Sequence, residues 1–305
     1  MAGKGMQWPV LDYKESESTF QLLHQWTQIV GKVRLKLTPR KNHSWHVTLY
    51  VNAEGLTTGP IPYEGGIFEI KFDFNRHDLK IKTSAGRQDR FALAGQTVAS
   101  FYEQLMEKLE YLGIHVKIHT KPNELPEAIP FEKNTKRLPY HPAAAKNLWK
   151  ALICIKGTYL AFGEGFCGKS SPVHFFWGSF DLAYTRFSGK KAPQFQGQMP
   201  NMPLNIMQEA YSHELYSVGF WPGNADFPVP SFYAYIYPNL EAYREEKVKP
   251  KEAYWNEQLG EFMLPYEAVQ KSSDGQKKLL EFLDSTYHAA TKVAKWDRKL
   301  LESNL

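Results

Sequence analysis

Cysteine is scarce in this 305-residue sequence, with Cys154 and Cys167 its only two. A structural zinc site built mainly on thiolates needs more of them. The pair could form one disulfide, but the apolar helical run around Cys154 favours a buried reduced thiol. Long apolar runs are missing too. Nothing approaches the roughly 18 residues that cross a bilayer, and the opening stretch MAGKGMQWPVLDYKE lacks the apolar region of a signal peptide. Together these absences predict a cytoplasmic protein that does not enter the membrane. Positive charge is not concentrated either. Lys and Arg number 37 against 32 acidic residues, a formal net charge of +5, with no basic tract of five or more. Nucleic-acid binders gather charge on one face or stripe, so this distribution speaks against nucleic-acid binding. The lysines read as solvated surface.

Motifs that would specify a reaction are also lacking. No Gly-x-Ser-x-Gly elbow occurs. The stretch Gly163–Ser170, GEGFCGKS, invites a phosphate-loop reading. A phosphate loop must follow a strand, however, and the pattern before Gly163 is helical, which excludes a nucleotide hydrolase. His43 with His46, and His115 with His119, lack the further ligand a metal site requires.

What the chain does have is aromatic density. The segment Ser170–Arg186 sets His174, Asp181 and Arg186 among Phe175, Phe176, Trp177 and Tyr184. Polar groups among so many rings are either costly to bury or useful where they stand. Around this segment the hydrophobic spacing reads as two similar halves. Behind a Ser18/Gln21 capping box, Phe20, Leu23, Val30, Val33 and Leu37 recur at helical spacing until Pro39. Strand alternation follows over 46–52, 68–74 and 79–83, with a turn region, GLTTGPIPYEGG, between the first two. A helix carrying Val98, Phe101, Leu105 and Leu109 ends at Gly113, and 115–119 reads as a short strand. Prolines and charges mark 120–141 as connecting chain. Pro142 then opens a helix through Phe162, and strands follow at the His174 segment, EAYSHELYSVGFW, PSFYAYIYP and GEFMLPY. A last helix begins behind Ser273/Gln276.

Both halves therefore run long helix, aromatic strand starting with a histidine, further strands, helix. The expectation is an α+β fold with two similar lobes of antiparallel sheet, each flanked by long helices. The lobes span 1–122 and 142–305, joined by a linker over 123–141. His46 and His174 fall at matching places. Either an internal duplication or the common recurrence of helices around antiparallel strands produces that order.

Candidate site residues follow from the polar groups among the aromatics. Alternation sends His46, Thr48, Tyr50 and Asn52 to one side of their strand, where they line a ligand cleft or face water. His174 or His213, backed by a carboxylate such as Asp181 or Glu209, could exchange a proton near neutral pH. Such histidines can equally satisfy a buried network. Arg186 could grip an anionic group bidentately or close a strand end on Asp181. Trp221 could stack on a flat ligand. Tyr233, Tyr235 and Tyr237 share a strand face. That face is a binding surface if exposed and core if the last helix covers it, and the core reading is expected. The resulting picture is a small-molecule binding protein with a cleft between or within the lobes. His174, His213 and Asp181 are its catalytic candidates, with His46, Asn52, Arg186 and Trp221 as binding residues. No metal and no particular cofactor is indicated. The alternative is a protein–protein interaction module presenting aromatic strands.

The strings HQWTQIVGKVRL, GLTTGPIPY, SPVHFFWGSFDLAYTRFSG, EAYSHE and GFWPG resemble a bacterial family of uncharacterised proteins, a domain of unknown function. The resemblance covers nearly the whole chain and is most specific over Ser171–Gly189. It implies no activity, cofactor or partner.

Overall fold

The computed structural model describes residues 7–125, 127–198 and 201–303. The first six residues of the opening stretch lie outside them. The first apolar stripe forms helix α1 (Tyr13–Leu37), which buries Phe20, Leu23, Trp26, Val30 and Val33. It starts earlier than the Ser18/Gln21 spacing predicts. Asp12 is its N-cap, accepting from the Glu15 N–H at 3.2 Å. Ser18 lies inside the helix and donates to the Pro139 carbonyl at 2.8 Å.

Strands β1 (Tyr50–Val51), β2 (Gly55–Thr57), β3 (Ile61–Tyr63), β4 (Gly66–Asp73), β5 (Asp78–Thr83) and β6 (Gln88–Ala92) follow, then helix α2 (Val98–Tyr111). They form an antiparallel sheet of order β1-β2-β4-β5-β6, with β3 also paired to β4. Period-two alternation in β4 buries Phe68, Ile70 and Phe72, and Phe101 of α2 stacks on Phe72 at 6.1 Å. Three sequence expectations change here. GLTTGPIPY holds β2 and β3 rather than only a turn. No strand forms over 115–119. The strand expected over 46–52 shrinks to Tyr50–Val51, because His43 and Ser44 adopt left-handed backbone (φ 55 each) and break the run.

The second half contains α3 (Pro142–Gly163), β7 (His174–Phe176), β8 (Asp181–Lys191), α4 (Leu204–Ala210), β9 (His213–Trp221) and β10 (Ser231–Tyr237). It continues with α5 (Glu241–Arg244), β11 (Tyr254–Asn256), β12 (Glu261–Pro265), α6 (Tyr266–Gln270), α7 (Gly275–Val293) and α8 (Arg298–Leu301). Its antiparallel sheet has the order β11-β12-β10-β9-β8-β7. One face carries Leu182, Tyr216, Val218, Phe220, Phe232, Ala234 and Ile236, all buried, and packs on the helices. Tyr216 pins α7 to this face, its hydroxyl donating to the Leu283 carbonyl at 3.0 Å. The N-cap of α7 is Asp274, one residue after the predicted Ser273.

The fold is α+β, with eight helices and two six-stranded antiparallel sheets among the described residues. The repeated element order has a spatial counterpart. β1 and β7 stand at equivalent places in their halves, and each is an edge of its sheet. The two edges meet through Leu49 and Phe175, which exchange both backbone hydrogen bonds at 2.9 Å. Two side chains of α3 reinforce this seam: Trp149 donates to the Asn52 carbonyl at 3.0 Å and Lys156 to that of Val51 at 2.8 Å. Chain from the first half also packs on the second, where Trp8 meets Phe232 and Tyr266. Both cysteines are free, and burial pushes the Cys154 thiol up to about 11. No helix among the described residues is long and apolar enough to cross a membrane.

Candidate functional site

The second sheet's other face, turned away from α3 and α7, carries the polar chemistry. Backbone register lines up His174, Ala183, Gly219 and Tyr233 across four neighbouring strands. Ala183 and Gly219 offer almost no side chain between His174 and Tyr233. The Tyr233 ring lies over Gly219, where a Cβ would fall inside the ring. That lean carries the Tyr233 hydroxyl to the Asp181 carboxylate, to which it donates. Thr185 and Ser217 meet at 2.9 Å along the next line. Tyr235 stacks on Tyr233 with centroids 6.0 Å apart and meets the Tyr211 hydroxyl at 3.3 Å. Tyr211 in turn packs on Phe195 and Tyr237. The three strand tyrosines are half-buried. The last long helix does not cover them, contrary to the core reading, because it takes the Ala234/Ile236 side of the same strand.

Three carboxyl groups converge on this floor from distant parts of the chain. Asp181, 6% exposed, is pushed up to about 7 by burial and by the charge of Glu124, against the opposing hydrogen bond from Tyr233. Burial, then the Asp181 charge, pushes Glu261 up to about 8. Burial also raises Glu124, which accepts from the Ser179 hydroxyl at 2.6 Å. None of the three forms an ion pair with a basic side chain among the described residues. Carboxyls held near neutrality this way can give or take a proton at physiological pH.

Histidines occupy the other end of the face, at the seam. His174 is fully buried among Trp45, Tyr50 and Phe176, with centroids 5.6–5.9 Å away. Neither ring nitrogen has a hydrogen-bond partner. Burial, with Arg34 and Lys41 nearby, lowers it to about 3, so it stays neutral across physiological pH. His43 accepts from the Lys169 ammonium at 2.6 Å, and its ring lies 6.2 Å from that of His213. The His213 Nδ1 lies 3.0 Å from the Ser212 hydroxyl. His46 accepts from the Lys41 N–H at 3.2 Å and is held low mainly by burial. Glu209 engages Arg40 at 2.7 Å.

Of the residues selected from sequence, His174, Asp181, His213 and Trp221 share this face, and His46 lies beside the seam. Among the described residues no hydrogen bond joins any of these histidines to a carboxylate. Trp221 stacks on Phe227 at 5.9 Å. Asn52 is elsewhere and structural: its side chain accepts from the Glu54 and Gly55 N–H groups. Arg186 is on the helix side, because an odd offset from Asp181 reverses the face. Its guanidinium donates to the Phe162 carbonyl and lies 3.7 Å from the Phe162 ring and 4.4 Å from that of Tyr287. It is therefore placed neither to close a strand end on Asp181 nor to line this face. An ammonium cannot reproduce that planar stacking. Arg186→Lys is expected to cost about 2 kcal/mol, read from the urea unfolding midpoint, with m unchanged.

The Gly163–Ser170 segment leaves the C-terminal end of α3 and runs into a β-bridge between Ser170 and Arg186. It leaves a helix C-terminus instead of leading into a helix N-terminus, so it lacks the arrangement of a phosphate loop. Among the described residues no group of three or more His, Cys, Asp or Glu side chains is placed to hold a metal ion.

Comparison with known families finds one whose model matches residues 8–303, described as a family of unknown function, DUF5996. The chain belongs to that family. No curated protein and no solved structure matches it. The DUF5996 match takes in both sheets and every residue of the tyrosine–carboxyl face. Sequence reasoning missed three members of that face in this DUF5996 chain. Glu124 sits in the linker, Glu261 opens a strand, and Tyr211 ends a helix, and only the tertiary path brings them together. Tyr233 and Tyr235 were visible as a same-face pair through their alternation.

Proposed function

We propose that this protein binds a small organic molecule on the tyrosine–carboxyl face of its second sheet, where Asp181 and Glu261 can exchange protons with it. One observation carries the reading. Carboxyls raised to about 7 and about 8 stand on a half-buried aromatic floor with no basic partner among the described residues. Structural carboxylates are normally paired or solvated, whereas perturbed ones on aromatic floors mark sites. Tyr233 orients Asp181, and Tyr235 supplies a ring for stacking. His174 stays neutral and serves as a shape-defining wall. Tyr211 packs over Tyr235 and Tyr237, which supports a small ligand over a flat protein partner.

The test equilibrates the purified protein with a small-molecule extract, washes it, denatures it and reads the released compounds by mass spectrometry. Wild type is expected to retain a compound that Glu261→Gln/Tyr235→Ala loses by about tenfold or more. Arg186→Lys, altered only on the helix side, should retain it. Retention of nothing by wild type, or equal retention by the double variant, would sink the proposal.

A further inference from the structure

We infer that the groove between the end of α7, α8 and the segment before Pro250 binds a small molecule carrying several phosphate groups. The groove is open to solvent and has a volume of about 730 Å³, room for a single small ligand. Lys247, Lys249, Lys292, Lys295, Arg298 and Lys299 line it, against only Glu246 and Asp297. Both carboxylates are already engaged. Glu246 holds Lys292 at 2.7 and 3.0 Å, and Asp297 caps α8 through the Leu300 N–H. Arg298 is committed to Glu302 and to the His288 ring. Lys247, Lys249, Lys295 and Lys299 are left without a carboxylate partner among the described residues. Lys190 adds a fifth positive charge, donating to the Lys295 carbonyl at 3.4 Å.

Helix-dipole complementarity explains only part of this. Cations are favoured in the last turn of a helix, which accounts for Lys292. Arg298 and Lys299 belong to the single turn of α8, and Lys247 and Lys249 come from a different segment that no helix end accounts for. Lys295 is the sharpest anomaly. α7 ends in a Schellman motif, with the Trp296 N–H on the Thr291 carbonyl at 3.0 Å and the Lys295 N–H on that of Lys292 at 3.4 Å. The left-handed position of that motif favours glycine, yet Lys295 occupies it at φ 50. A residue kept against local preference points to a role for its side chain. Gathered ammonium groups call for an oligo-anion, and the buried Ala289 and Trp296 offer an apolar wall for its organic part.

The test is calorimetric titration with inorganic triphosphate at low salt. Wild type should bind saturably, and binding should weaken as salt rises. Lys247→Glu/Lys299→Glu should lose about tenfold or more in affinity, while Lys121→Glu/Lys136→Glu, with the same change in net charge, should lose less than about twofold. Lys295→Gly separates function from folding. Glycine suits the left-handed position, so this variant should melt no lower than wild type while binding triphosphate several-fold more weakly. Three results would overturn the inference: no saturable binding, equal losses in both charge-reversal doubles, or binding of a single-stranded oligonucleotide but not of triphosphate.

Discussion

Asp181→Asn is expected to stabilise the protein by about 4 kcal/mol at pH 9 and to change it little at pH 4, read from urea unfolding across that range. The sign follows from proton linkage. Asp181 binds its proton more tightly in the folded chain, at about 7 against an ordinary 3.8, and Glu261 at about 8 against 4.5. Between those limits the folded state holds more protons than the unfolded one, so stability falls as pH rises through that window. Below it both states are protonated and the contribution is complete. Above it the folded chain carries buried charge that asparagine would not. The amide oxygen introduced by Asp181→Asn can still accept from Tyr233, so the hydrogen bond survives. Glu261→Gln should behave alike with a smaller gain, about 2 kcal/mol, because Glu261 is only partly buried. The two carboxyls repel when both ionise, so the double variant should gain less than the sum. Wild-type stability that is flat between pH 5 and 9 would remove the proposed perturbation, and with it the strongest support for the site. A gain of this size from one substitution also means that the face is kept at a cost to stability, as functional sites commonly are.

That face was half legible in the sequence, and the division has physical reasons. Alternation in SFYAYIY put Tyr233, Tyr235 and Tyr237 on one side and Ala234 and Ile236 on the other. Which side met a helix was not encoded locally, since tyrosine and isoleucine both make acceptable core. The same parity separates Asp181 from Arg186, and the structure follows it. Helix spacing located α1, α2, α3 and α7 well, because each has a continuous apolar stripe. Their starts were less readable: Ser18 fits a capping box in spacing but is used by the Pro139 carbonyl far along the chain. The run HSWHVTLYV alternates like a strand. The left-handed turn at His43 and Ser44 leaves only its end to pair: Leu49 bridges Phe175 across the seam, and Tyr50 and Val51 join β2. Glu124 and Glu261 gave no local signal. Each is an ordinary acidic residue until the linker and an inserted strand bring it to the face.

Gly31→Ala in α1 is expected to destabilise the protein by about 3 kcal/mol, and Gly157→Ala in α3 to stabilise it by about 1 kcal/mol. Both glycines lie inside long helices, where alanine is intrinsically preferred. Their surroundings differ. Nothing lies within 4 Å of a Cβ built at Gly157, whereas one at Gly31 would fall inside the Trp177 indole. Trp177 cannot retreat freely. Its ring N–H donates to the Val47 carbonyl at 2.7 Å, and the Lys32 ammonium lies 5.9 Å from the ring. Val47 is two residues before Leu49, where the two sheets join. Moving the indole would therefore strain the packing, cost a buried hydrogen bond of about 1 kcal/mol, and loosen the seam beside His174. The comparison is read from unfolding midpoints of the two variants, and hydrogen exchange of the Leu49 and Phe175 amides reports the seam directly. Faster exchange at those amides in Gly31→Ala, with none in Gly157→Ala, would establish that this glycine lets the tryptophan clamp the halves together. A Gly31→Ala protein as stable as Gly157→Ala would show that the indole has room to move and that the seam holds without it.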